Sequence, residues 1–210
     1  MASSMYEEAT VSSDTPCVCR EIRVHSLDGH VSRFAVSDPQ RDYKLLDHVY
    51  PERVFSPQNI LIQGDTAVSL FPCAAVIRID FIANRFPDWA FNHNLSDVVE
   101  ISESEFQLLH AEAALRLQKS PPQTGESFHT FAGATLANGD RIFLRLALVK
   151  VDGTSLDLAM MVHRLVSPSS VTIRRRDGGA ILLNSSHIVR LSLDPELPDI
   201  PGAWRATLLP

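Results

Sequence analysis

The sequence predicts a mainly β protein with a minor α component: two duplicated small β-barrel or rolled-sheet units joined by one amphipathic helix. Three observations predict it. One segment occurs twice: Arg53, Val54, Phe55, Ser56, Pro57, then Ile60, Ile62, Asp65, Leu70, Phe71, Ile77, Arg78 and Ile79 return as Arg164, Leu165, Val166, Ser167, Pro168, then Val171, Ile173, Asp177, Leu182, Leu183, Val189, Arg190 and Leu191. The offset is 111 residues through the Ser-Pro and 112 after the turn, because Arg174, Arg175, Arg176 and Asp177 hold one residue more than Gln63, Gly64 and Asp65. The second observation is a turn dipeptide between apolar/polar alternations, Asp28 with Gly29 and Asn138 with Gly139; a type I′ turn there needs positive φ at both central positions. The third is the spacing of five short strand-like runs, mostly paired as hairpins, within each copy.

In chain order, residues 18–27 and 30–36 form the first hairpin, and 41–49 read as a short helix ending before Pro51. Residues 59–63 and 66–71 form a second hairpin, and Pro72 and Cys73 turn the chain into a last strand at 75–82. The second copy repeats the plan with 128–136 and 142–151, a helix or strand at 155–164, a hairpin of 170–175 with 180–183, a turn at Asn184, Ser185 and Ser186, and a strand at 187–193. Arg33, Phe34, Ala35 and Val36 align with Arg145, Leu146, Ala147 and Leu148, again at 112. Between the copies, the aromatic stretch 86–91 reads as a loop packing the linker onto a barrel. Ser102 with Glu105 is a capping box, in which each side chain serves the other's amide. Phe106, Leu109, Ala113 and Leu117 follow as one apolar stripe, and Lys119, Pro121 and Pro122 end the helix.

The expected organisation is a disordered tail at 1–16, β repeat 1 at 17–83, a linker at 84–124 with its helix at 103–118, β repeat 2 at 125–194, and a Pro-rich arm at 195–210 pinned by Trp204. Proline lacks an amide donor, so the arm is not a central strand. Closure into barrels would hide strand edges. The strand number and length resemble those of SH3-like and Sm-like small barrels, a resemblance that carries no function.

Composition excludes several classes. With 45% hydrophobic and 21% charged residues the chain is ordinary for a globular protein. No run approaches the roughly 18 apolar residues of a membrane span, so no membrane partner is expected. Glu7 and Glu8 stand where a secretory signal carries basic and apolar residues; a cytoplasmic location is expected, with Cys17, Cys19 and Cys73 as reduced thiols. The net charge of −6 divides into −7 over residues 1–124, +3 over 125–193 and −2 beyond. Opposite signs suit self-association or a polar partner rather than a uniformly basic nucleic-acid binder.

Four candidate chemistries present themselves. Cys17, Cys19, His25 and His30 are zinc-ligand types, but an extended strand separates Cys17 from His25 by roughly 26 Å, too far for one ion; no metal is expected. Cys73, Ser56, Ser167 and His187 are nucleophile or base types, yet the serines recur as turn residues, and Cys73 and His187 align with Ser185 and Ala75. No nucleophile elbow, phosphate loop or metalloprotease motif occurs, so neither cofactor nor enzymatic activity is expected. Arg174, Arg175 and Arg176 at the second copy's hairpin turn, with Arg164 and Arg190, would contact phosphates, though the aromatics that stack bases are missing nearby. Arg78 and Arg190 repeat within the last strand of each copy, facing away from the aliphatics; they line an interface between the copies or keep an outer strand soluble. Arg53 and Arg164 repeat too, as partners for turn acids.

The expected function is that of a binding or scaffolding module of bacterial type for a protein or peptide, non-enzymatic, with Arg174, Arg175, Arg176, Arg78 and Arg190 as partner-binding candidates. The runner-up is nucleic-acid binding through the arginine turn, and the third reading is an enzyme with an unrecognised site.

Overall fold

The computed structural model describes residues 16–36, 45–64, 66–91, 95–120, 122–150 and 168–194. The expectations for the N-terminal tail up to residue 15, for 41–44, for 155–164, for Arg164 and for the arm at 195–210 lie outside them. The described chain is mainly β, with strands β1 (Cys19–Ser26), β2 (Val31–Ala35), β3 (Asn59–Gln63), β4 (Val68–Pro72), β5 (Val76–Ala83), β6 (Leu95–Ile101), β7 (Ser127–Leu136), β8 (Arg141–Val149), β9 (Ser170–Arg174), β10 (Ala180–Asn184) and β11 (Ile188–Asp194), and helix α1 (Glu103–Lys119). Short 3₁₀ turns occupy Leu46–His48, Pro51–Arg53, Cys73–Ala75 and Ser185–His187.

Nine strands form one sheet in the order β11-β7-β8-β6-β9-β10-β5-β1-β2, and β3 with β4 forms a separate two-stranded sheet. The closed barrels expected from strand count are not formed among the described residues, because the order has two ends, β11 and β2. The physical reason lies at the middle of the sheet. There β10 pairs antiparallel with β5, Leu182 opposite Ile79 and Leu183 opposite Arg78, so the halves hide two edges against each other.

Strand pairings recur along the chain. Val24 opposite Ile79 in β1–β5 has its counterpart in Ala134 opposite Leu191 in β7–β11. Leu61 opposite Leu70 in β3–β4 has its counterpart in Thr172 opposite Leu182 in β9–β10. Backbone bonds follow suit: Leu27 N donates to Ala75 O and Ala137 N to His187 O, while Cys73 N donates to Gln58 O and Ser185 N to Ser169 O. In the first hairpins Arg23 lies opposite Arg33 and Gly133 opposite Phe143.

The turns of these hairpins also differ from type I′. Gly29 N donates to Ser26 O at 3.0 Å and Ser26 N to His30 O at 2.9 Å, and the bonds at Leu136, Gly139 and Asp140 are the same. This is a three-residue loop with one left-handed position, held by Gly29 (φ 84°) and Gly139 (φ 89°). The Asp28 and Asn138 carboxyl and amide oxygens accept from the amides of His30 and Asp140, which is why these residue types precede the glycines.

Helix α1 starts as expected, with Ser102 Oγ accepting from Glu105 N at 3.3 Å and Glu105 Oε2 from Ser102 N at 2.9 Å. Phe106, Leu109 and Ala113 pack on Val99, Ile101, Phe131 and Phe143. Strand β6, which precedes the helix, has no clean alternation because both its faces are covered. Leu95 and Val98 join the large core of β7, β8, β9 and β10, while Val99 and Ile101 meet the helix. The other core gathers Ile22, Val24, Phe55, Val76, Ile79 and Phe81, and Leu182 from β10.

Candidate functional site

Of the arginines expected to contact a partner, the three of the turn have three different sets of neighbours. Arg174 Nε lies 3.0 Å from Asp97 Oδ1, and its guanidinium sits 5.3 Å from the Phe86 ring centre. Arg175 donates to Asp177 from Nε and Nη2 (2.9 and 2.6 Å) and to Asp80 Oδ2 from Nη1 (3.1 Å). Arg176 donates to Glu105 Oε1 at 2.7 Å, at the start of α1. Each guanidinium of the turn therefore faces a carboxylate of its own chain, which lowers the field available to a phosphate.

Arg78 and Arg190 part company. Arg78 is largely buried and donates to both Asp80 oxygens (2.7 and 3.0 Å) and to Glu100 Oε1 (3.1 Å). Arg190 is exposed on the sheet's end strand. Arg78 thus lies where the halves meet, whereas Arg190 faces solvent.

Asp80, which sequence reasoning did not single out, is the centre of this cluster. It is buried, faces Arg78 and Arg175, and lies 3.3 Å from His25 Nε2. Burial on its own would raise its carboxyl, but hydrogen bonding and charge from His25 and Arg78 outweigh burial and hold it at about 2. The cluster joins β1, β5, β6 and the β9–β10 turn. Arg78 and Arg175 are candidates from the sequence, whereas the signal for Asp80 itself is a single acid inside the apolar run of β5, between Ile79 and Phe81.

The thiol candidates have separate surroundings. Cys17 Sγ donates to Arg85 O at 3.1 Å, and Cys19 and Cys73 are buried. Burial pushes all three thiols up, Cys19 to about 11, so none carries the thiolate that nucleophilic attack needs near neutral pH. His30 is exposed at the hairpin turn while His25 faces Asp80. Among the described residues no group of three or more His, Cys, Asp or Glu side chains converges on one point, and no helix is long and apolar enough to cross a membrane.

A cavity of about 410 Å³ lies where the sheet parts. Parallel neighbours β6 and β9 meet at a single bridge, Val99 with Arg174, near the ends of both strands. Toward their starts Leu95 and Val98 line one wall, and Ser170, Val171 and Thr172 the other. The remaining walls come from the 3₁₀ turns and the aromatic loop. The Trp89 indole donates to Leu46 O at 3.1 Å and stands edge-on to Phe81, while Phe86 stacks on Phe91. Ser169 Oγ donates to Glu52 O at 2.8 Å, and Ser170 Oγ donates to Pro51 O. Thus the segment Pro51–Arg53 is tied to the start of β9. Asp47, Glu52 and Asp88 are the charged lining residues. Arg85, 2.8 Å from Asp88 Oδ1, holds that carboxyl below its ordinary range. The groove thus offers an aromatic floor, an acidic rim and two strand walls. Neither wall residue types nor spacing flagged it in the sequence, since its parts come from four separated segments.

The chain matches no family model, no curated protein and no solved structure.

Proposed function

We propose that the protein is a non-enzymatic binding module, built from a duplicated five-strand unit, whose partner is an extended peptide segment of another protein seated in the groove between β6 and β9. The observation that carries this reading is the parting of these strands after a single bridge, beside exposed Tyr50 and the ring of Trp89. Extended peptides bind by adding to strand edges, with side chains alternating into pockets. An apolar residue of the peptide meets Trp89 and Phe91, and a basic one meets Asp47 and Glu52. The recurring strand registers support the duplicated unit. The arginine turn is set aside as a phosphate site because its three guanidinium groups already face Asp97, Asp80, Asp177 and Glu105.

Selection of a displayed library of extended peptides on the full chain tests this reading. The selected peptides are expected to be basic and apolar and to shift the NMR signals of residues 95–98, 170–172 and the Trp89 indole. Glu52→Lys is expected to weaken them about tenfold, the effect of a lost or reversed charge contact worth about 1.4 kcal/mol. Peptides that are acidic, or that shift signals elsewhere, overturn it.

A further inference from the structure

The joint between β10 and β5 has an open counterpart. When β9–β10 is matched to β3–β4 and β5 to β11, the partners Leu182 and Ile79 become Leu70 and Leu191, and Ala180 and Phe81 become Val68 and Leu193. In the closed joint β10 has β9 on one side and β5 on the other. In the open one, among the described residues, β4 pairs only with β3, and β11, at the end of the nine-stranded sheet, only with β7. One chain thus carries both halves of a second joint, and among the described residues neither is paired.

Burial follows the same division. Leu182 is 0% exposed and lies in the core of the first half, whereas Leu70 is 56% exposed. Ala180 is 0% exposed and Val68 62%; Ile77 is 1% exposed and its match on β11, Val189, is 71%. Leu61, opposite Leu70, is exposed as well. Leu182, Ala180 and Ile77 thus have solvent-facing apolar matches, whereas Ile181 matches Ser69 and Leu183 matches Phe71, which packs on the first core. Leu191 and Leu193 already pack on the second core from the near side, as Ile79 and Phe81 pack on the first. They form the floor on which a second chain's Leu70 would rest as Leu182 rests on Ile79.

We propose that this protein binds a second copy of itself, strand β4 of one chain adding antiparallel to β11 of the other with Leu70 opposite Leu191, Val68 opposite Leu193 and Phe71 opposite Arg190. Because each chain presents one β4 and one β11, the contact is head-to-tail and repeats until the rotation closes it. The closed joint carries the Asp80 cluster, whereas β11 has Ser192 in place of Asp80. The open joint therefore lacks the ionic clamp, and its association is apolar, reversible and little affected by salt.

Sedimentation velocity of the full chain over a concentration series is the test. Self-association is expected, at least about tenfold weaker in Leu70→Lys and in Val189→Lys, which at 1.4 kcal/mol per decade is the scale of one lost apolar contact. Leu108→Lys, at an exposed position on α1, is expected to associate like the wild type. Both lysine variants change solvent-facing residues, and circular dichroism identical to wild type establishes that each is folded. A second measurement fixes the register. When Leu70→Cys and Leu191→Cys chains are mixed and mildly oxidised, peptide mass analysis is expected to recover the 70–191 disulfide. A monomer at every concentration, association that survives both lysine variants, or recovery of only 70–70 linkages overturns the proposal.

Discussion

The hairpins β3–β4 and β9–β10 have nearly the same apolar pattern and opposite surroundings. β3–β4 buries one face, Ile60, Ile62 and Phe71 against the first core, and leaves Leu61, Val68 and Leu70 to solvent. β9–β10 buries both faces, with Val171, Ile173, Ile181 and Leu183 in one core and Leu182 in the other. The difference comes from the neighbours and not from the hairpins themselves. β10 lies against β5, and its turn is seated on the end of that strand, where Gly179 N donates to Arg85 O at 3.1 Å. The turn of β3–β4 closes on itself through Gly64 N and Ala67 O. Leucines at like positions in the two hairpins are therefore a core residue in one, Leu182, and a surface residue in the other, Leu70.

The largest break in this comparison is expected at the turns. Gly179 has φ +86°, and a Cβ there would lie 1.9 Å from Phe81 O and 2.8 Å from Ala83 N. Backbone strain of about 1–3 kcal/mol adds to overpacking of about 1–3 kcal/mol against atoms that cannot move aside. Gly179→Ala is expected to cost about 4 kcal/mol, or to unfold the second half, in a urea titration. A Cβ at Gly64 meets only Ala67 O, at 3.4 Å. Gly64→Ala is expected to stay within about 1 kcal/mol of wild type. Equal costs would mean that the two turns sit in like surroundings.

Leucine truncation is the next sharpest contrast. Leu182→Ala removes a fully buried side chain between Ile79 and Thr172 and is expected to cost about 3 kcal/mol in denaturant, within the usual 2–5 for such a change. Leu70→Ala, at the matching exposed position, is expected to change monomer stability by less than about 0.5 kcal/mol. A loss at Leu70 as large as that at Leu182, measured on the monomer, would refute the division of the hairpins into a covered and an open one.

The ionic clamp gives a smaller effect with a defined pH window. The Asp80 carboxyl is held at about 2 in the folded chain against an ordinary 3.8. A depressed carboxylate stabilises the fold above its unfolded value, and that contribution disappears as pH falls through the folded one. Asp80→Asn is thus expected to be about 2 kcal/mol less stable than wild type at neutral pH, at 1.36 kcal/mol per pH unit. The two stability curves should converge between about pH 4 and pH 2. Curves that remain parallel through this window would show that Asp80 does not clamp the β9–β10 turn to β5 by charge.

How much of this was legible in the sequence follows the range of the interactions. Local signals came through well: Ser102 and Glu105 start the helix, Asn59–Gln63 is a strand, and the glycines after Asp28 and Asn138 mark the turns. The turn type differs from the expected one because one left-handed glycine with a type I turn has the same dipeptide as type I′. Strand β6 carries no sequence signal because a strand covered on both faces loses the period-two alternation that identifies it. Burial of the hairpins was beyond reach, since Leu70 and Leu182 are the same residue in the same pattern. What separates them is a strand far away in sequence. The groove between β6 and β9 was hidden for a like reason: Trp89, Glu52, Leu95 and Thr172 meet only once the sheet order is known.

The smallest expected effect sharpens what the second turn does for the helix. Arg176 is half exposed and reaches Glu105 Oε1 at 2.7 Å, while Glu105 Oε2 accepts from Ser102 N in the capping box. The Ser102 amide, Arg176 and the Ser102 hydroxyl together hold the Glu105 carboxyl at about 2. An exposed ion pair is worth about 0.2–1 kcal/mol and fades with salt, whereas a lost cap costs typically about 1 kcal/mol. Arg176→Ala is therefore expected to cost less than about 1 kcal/mol in low salt and nothing measurable in high salt, because the cap remains. Glu105→Ala removes the ion pair and half of the cap, and its larger cost is expected to persist in high salt. If Arg176→Ala instead matched Glu105→Ala at both salt concentrations, the turn would be positioning the helix start through more than charge. The covered hairpin would then act as a support for α1, a role for which the open hairpin has no counterpart.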